Sequence, residues 1–173
     1  MTEIKSHYSH TKVGKLFFSI SAFMTKFLLK HRILYYLLIC TWGFPYLLFT
    51  GLLYVVLGIA SLFTKRISFS KYYWIGCIKV GPDYWGGLEA GLAFLRDQKS
   101  NESVNSHEFG HTFQYAWLGP LALFIVMIPS AARWWVQNIR SKKGLTNPPY
   151  DAIWFEDSAT QCGKYAVNYL LNK

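Results

Sequence analysis

His107-Glu108-Phe109-Gly110-His111 is the stretch on which the rest of the chain turns. Two histidines four apart on a helix share a face and stand about one turn from each other, so both imidazoles reach one ion. Glu108, beside the first histidine, is then placed to act as a base on a water bound to that ion. Two histidines do not complete a metal site. The later segment Trp154-Phe155-Glu156-Asp157-Ser158-Ala159-Thr160 offers a third ligand in Glu156. His107, His111 and Glu156, with a fourth position open to water, form the His₂Glu arrangement of catalytic rather than structural zinc. The competing account is a solvated helix that happens to carry two surface histidines.

Working outward, residues 100–106 are polar and rich in helix-capping types, so a helix is expected to start there. Phe109, Phe113 and Trp117, spaced by four, give that helix an apolar side to bury. Gly110 weakens a helix relative to alanine and makes sense where another backbone packs close. Before the motif, Ile67, Phe69, Tyr72, Tyr73, Trp74, Ile75, Ile78 and Val80 are strand formers, followed by the turn signal Gly81-Pro82-Asp83 and a second strand-like segment at Gly87–Leu95. A small hairpin or sheet is expected to precede the site helix. Such a strand can take a substrate backbone by strand addition, or be an ordinary sheet edge. Tyr150 to Leu171 reads as the helix that carries Glu156.

The 173 residues suffice for one domain plus a membrane segment. Residues 1–63 carry six Lys/Arg against one acid, and residues 64–173 carry twelve against eight. The positive excess therefore sits beside the longest apolar run, which points to anionic lipid headgroups rather than nucleic acid, for which no motif is present. Residues 1–32 are a basic, amphipathic segment suited to a membrane interface. Residues 33–63 contain no charge, more than the ~20 residues a bilayer crossing requires. Gly43 and Pro45 interrupt them, so a kinked helix or a re-entrant hairpin is expected. Residues 64–173 form the remaining unit. Within it, residues 116–132 are apolar but hold Pro120 and Pro129, which favours a re-entrant or surface-embedded path over a straight span. Trp134 and Trp135 suit the interface beyond. Cys40, Cys77 and Cys162 are too scattered for a disulfide framework or a cysteine zinc site.

The HEFGH stretch continues as Thr112-Phe113-Gln114, then Leu118-Gly119-Pro120, Ile128-Pro129-Ser130, and Pro148-Pro149-Tyr150-Asp151-Ala152-Ile153-Trp154-Phe155-Glu156. Over roughly residues 80–165 this string resembles a family of small bacterial membrane-associated proteins with an HExGHxxQ signature. That family is similar in turn to minimal gluzincins, zinc peptidases whose third ligand is a glutamate on a later helix. The resemblance implies a mostly α fold with a small β-hairpin or sheet: a membrane-anchored, zincin-like domain built on the HExxH helix and the glutamate helix. It implies a bacterial inner-membrane location and a peptide or protein substrate. By it, His107, His111 and Glu156 are zinc ligands and Glu108 is the base. Many gluzincins carry Asp or Asn four residues after the glutamate ligand, to orient a histidine. Here that position is Thr160, a weaker acceptor. Asp157 either supports the ligands or caps locally.

The expected chemistry is metal-assisted peptide hydrolysis, with Glu108 moving the proton from water to the leaving amine. An oxyanion stabiliser is required, and Tyr150, Tyr165 and His10 are candidates between which the sequence does not choose. The alternative is a non-catalytic protein that keeps a metal, or only the zincin fold, as an interaction module in the membrane. Glu108 discriminates between the two, because a purely structural site has no use for a carboxylate there.

Overall fold

Residues 3–8, 10–81 and 85–173 are described by the computed structural model; Pro82 and Asp83, from the expected turn, lie outside them. The described chain is mostly helical with a small, open, mixed sheet of four strands. Helix α1 spans Lys12–Lys30 and is capped by the Thr11 hydroxyl, which accepts the Gly14 N–H. The uncharged run breaks where its glycine and proline predict. Helix α2 covers Arg32–Cys40, a turn occupies residues 41–43, and α3 covers Phe44–Ser61. Pro45 sits in the first turn of α3, where its missing N–H leaves no bond unmade. Among the described helices α3 is the one long and apolar enough by itself to cross a membrane. Only Tyr46 and Thr50 of its side chains are buried.

The sheet is built from β1 (Ile67–Tyr72), β2 (Ile75–Val80), β3 (Gly87–Glu89) and β4 (Ala93–Arg96), in the order β1-β2-β4-β3. The β1–β2 hairpin reverses at Tyr73 and Trp74, with Tyr73 in the left-handed region at φ 53°. The single second strand expected over Gly87–Leu95 is instead two. The Ala90 N–H bonds the Ala93 carbonyl at 2.9 Å, and the Glu89 carboxyl takes the Gly91 N–H at 2.9 Å, so the chain folds back on itself. Strand β4 then enters beside β2 in parallel, and β3 is left on the edge. Alternation of polar and apolar residues does not reveal this, because a strand and its tight reversal are both short and apolar here.

Helix α4 (Glu102–Leu118) begins at Asn101, whose side chain accepts the N–H groups of Ser103 and Val104, within the capping stretch read from the sequence. One apolar side was to be expected, and Phe109 and Phe113 do meet an aromatic cluster of Tyr72, Trp74 and Phe94 on and beside the sheet. The opposite, polar side is buried as well, against α6 (Trp154–Leu171). The two helices cross at van der Waals distance. A Cβ added to Gly110 would lie 1.9 Å from the Ala159 carbonyl oxygen, and one on Gly163 would lie 1.7 Å from the Ser106 carbonyl oxygen. Both positions must therefore lack a side chain. Helix α6 starts at Trp154 rather than at Tyr150, since Ile153 is extended and Pro148-Pro149 precede it. Helix α1 covers the far side of α6, with Phe17 against Trp154 and with Leu28 and Leu29 fully buried.

The apolar stretch at 116–132 is an elbow. Helix α4 ends at Gly119 (φ 53°), a 3₁₀ turn follows at Gly119–Leu121 and a π turn at Leu123–Met127, and α5 runs over Ile128–Lys142. The helical path bends by 116° between the two arms. Pro120 lacks the N–H that a continuous helix would use, which accounts for the break. None of the side chains of α5 is buried. Its polar face is tied to residues 143–150 by Arg133, Gln137 and Arg140, which bond main-chain carbonyls there.

Candidate metal centre

Three ligand atoms converge as the spacing predicts. His107 Nε2 lies 3.0 Å and His111 Nε2 lies 3.1 Å from Glu156 Oε2, and the two ring nitrogens are 3.1 Å apart. Ligand atoms about 2.0–2.1 Å from a tetrahedral zinc are separated by roughly 3.3–3.4 Å, so the triangle is close to the size a small divalent cation needs. Lone pairs and a carboxylate oxygen held this near one another repel unless a proton or a cation lies between them. His107, His111 and Glu156 are therefore a group able to hold a metal ion. The account of two surface histidines fails, because Glu156 is fully buried and His111 is 4% exposed.

The outer ring nitrogens are occupied. His107 Nδ1 lies 2.8 Å from the Thr160 hydroxyl, the residue four positions after Glu156. His111 Nδ1 lies 2.7 Å from Gln114 Oε1. The Gln114 amide in turn donates to the Phe155 carbonyl at 2.8 Å and to the Ser158 hydroxyl, locking α4 to α6. A tautomer with both Nδ1 atoms protonated would turn both Nε2 lone pairs toward the common point. Gln114 is the last residue of the HExGHxxQ string. Its place three residues after His111, on the same helix face, is the signal that would have found it.

Charge follows the same logic. Burial alone would raise the Glu156 carboxyl, yet His111 and His107 outweigh it and hold the group well below the ordinary carboxylate range. For His111 burial works downward, and Glu156 overrides it, raising the imidazole to about 8. The second oxygen of Glu156 is buried and has no hydrogen-bond partner, a free lone pair inside the site. Asp157 faces elsewhere: its carboxylate accepts the Ser6 hydroxyl at 2.6 Å and the N–H groups of His7 and Tyr8, so it fastens the start of the chain to α6.

Glu108 is 5% exposed and lies against β3, where a Cβ on Gly87 would come within 2.5 Å of its Oε1. Burial lifts its pKa, opposed by the two histidines and by a hydrogen bond from the Glu89 N–H. Glu89 itself is a buried acid that the sequence reading missed. Burial, and then the neighbouring Glu108, push its carboxyl well above the usual range. Of the three oxyanion candidates, Tyr150 is at the site. Its ring centroid lies 6.2 Å from that of His107, and its hydroxyl is 2.7 Å from the Ser130 hydroxyl. Tyr165 is stacked with Tyr169 on another part of α6, and His10 is exposed ahead of α1.

His107, Glu108, His111 and Tyr150 all open on one cleft of about 590 Å³, with β3 on one wall and the elbow and α5 on the other. No protein-family model matches the chain, and no curated protein or solved structure matches it.

Proposed function

We propose that the chain is a membrane-associated, zinc-dependent peptidase. The observation that carries this reading is Glu108: a carboxylate buried beside the ligand triangle and open to the same cleft, in a position that a structural metal site does not require. His107, His111 and Glu156 would hold zinc, which fits two imidazoles and one carboxylate with a position left open. Bound there, zinc supplies Lewis acidity and brings the pKa of water down to ~7.

The remaining chemistry belongs to the chain. Glu108 takes the proton from the attacking water and returns it to the leaving amine. Burial, by raising its pKa, makes it a better base than a solvated glutamate. Tyr150 donates its hydroxyl proton toward the oxyanion that develops on the scissile carbonyl. Burial and the Glu156 carboxylate raise its pKa, so it stays a donor throughout the working pH range. An extended peptide has a place to bind. Gly86 and Ala90 bond toward β4, so by alternation Gly87 and Glu89 turn their main-chain groups to the open edge. The Glu89 N–H is taken by Glu108, which leaves Gly87 to pair with substrate. The apolar surface of α3 supplies the membrane anchor.

Purified protein should bind one equivalent of zinc, and Glu108→Gln should keep it while hydrolysis of an unfolded peptide panel falls ~10²–10⁴-fold. His111→Ala should lose the metal as well. Equal turnover by wild type and Glu108→Gln would leave the non-catalytic metal-binding module as the better account.

A further inference from the structure

The wall of the cleft opposite β3 is made by the elbow and by α5, which contribute Val126, Met127, Ala131 and Trp134. Trp134 lines the cleft and is 43% exposed. On the outer side of the same arm, Phe124, Ile128, Trp135 and Ile139 are all exposed at spacings of four, seven and four, which is one helical stripe. The stripe does not stop at the elbow. Trp42, ahead of α3, bonds the Trp117 carbonyl and covers Gly119, and α3, with Phe44 and Leu48 exposed, packs against the 3₁₀ turn that carries exposed Leu121. An apolar surface thus runs from α3 around the elbow to the lip of the cleft.

Charge complements this surface. Between Phe109 and Tyr150 there is no Asp or Glu, while Arg133, Arg140, Lys142 and Lys143 lie along α5 and just past its end. An apolar stripe with tryptophans and cations but no acid is the chemistry of an anionic bilayer interface, more than of a protein partner.

We infer that α5 lies in the interfacial layer of an anionic bilayer and that the cleft receives its substrate from the lipid side, between β3 and α5. The substrate class is then a membrane-embedded peptide whose cleaved segment emerges at the headgroups, with an apolar residue seated against Val126, Met127 and Trp134. The substrate half of this inference rests on the peptidase reading; the lipid seat of α5 does not.

The full chain with Cys40→Ser, which removes the exposed cysteine and leaves the buried Cys77 and Cys162, allows Trp135→Cys to be labelled with an environment-sensitive fluorophore. In phosphatidylethanolamine–phosphatidylglycerol vesicles the label should shift to the blue and be quenched by brominated acyl chains, not by aqueous iodide. A label open to iodide and silent to brominated lipid overturns the inference, whatever hydrolysis shows. In a second arm, Trp135→Ser/Ile139→Ser should cleave a vesicle-embedded, single-span model peptide about tenfold more slowly, as the interfacial seat weakens. The same emergent sequence free in solution should be cleaved at the wild-type rate, with zinc still at one equivalent. Equal slowing on both substrates also overturns the inference. If wild type cleaves neither peptide while the label remains quenched by lipid, the peptidase reading falls and the seat of α5 stands.

Discussion

Helices α4 and α5 are the two arms of one bent pair, and they invert the usual rule of burial. Helix α4 hides polar and ionisable side chains: Ser106, Glu108, His111, Thr112 and Gln114 are all buried. Helix α5 hides none of its side chains and exposes Ile128, Trp134, Trp135, Val136 and Ile139. A buried polar group costs free energy unless it is hydrogen-bonded or charge-compensated, so the interior of α4 persists only because each such group has a partner on α6, on β3 or in the preceding turn of α4 itself. Exposed aromatic and aliphatic side chains in such density have no counterpart reason within this chain. The composition of α4 is thus accounted for from inside the fold, and that of α5 by the bilayer seat proposed for it.

The comparison breaks most sharply at the helix crossing. Gly110→Ala drives a methyl group into the Ala159 carbonyl, where backbone on both sides must move. Overpacking of this kind destabilises by about 1–3 kcal/mol or more, and detergent-solubilised variant should unfold at correspondingly lower temperature or denaturant. A fully stable Gly110→Ala would mean that α4 and α6 are not held at this separation.

Removing an orienting partner should be felt next. Gln114→Leu leaves the His111 Nδ1–H unpaired and frees two acceptors on α6. Zinc affinity, measured by competition with a chelator, should fall about 10–100-fold. Thr160→Val tests the same role on His107, while Asp157→Asn, directed at the start of the chain, should leave affinity unchanged.

Glu89 gives a smaller effect whose sign is informative. Unfolded, its carboxyl loses its proton near pH ~4.3; folded, it keeps the proton well above that. Between those values the folded chain binds more protons than the unfolded one, so Glu89 makes stability fall as pH rises. Glu89→Gln should remove that fall. Its melting temperature should gain on wild type between pH 4 and pH 8, by about 2–4 °C for each kcal/mol recovered in a domain of this size. A gain that is largest at pH 4 would contradict a neutral, buried acid.

The least effect is expected on the other arm. Ile139→Ser, on the outer stripe of α5, should change stability in detergent by no more than about 0.5 kcal/mol, as at other exposed positions. A larger loss would show that α5 packs against something within the fold.

Much of the candidate site is legible in the sequence. The trio able to hold a metal ion follows from a four-residue spacing that any α-helix converts into one face, together with one acid on a later helix. The start of α4 and the break before α3 followed from Asn101, Gly43 and Pro45, whose effects are confined to their own turn of backbone. What depends on residues far apart in the chain was decided only by packing. Gly163 is as necessary as Gly110, but it becomes so only because Ser106 crosses it. Asp157 stands next to a ligand and yet binds residues 6–8, since adjacent residues on a helix point about 100° apart. Thr160, by contrast, is four residues beyond Glu156 and comes back to the same face. Glu89 reads as one polar residue in a short strand; as an acid it is significant only because β3 lies against Glu108. Local periodicity records which side of an element faces inward, whereas the partner it meets there is chosen by the tertiary fold.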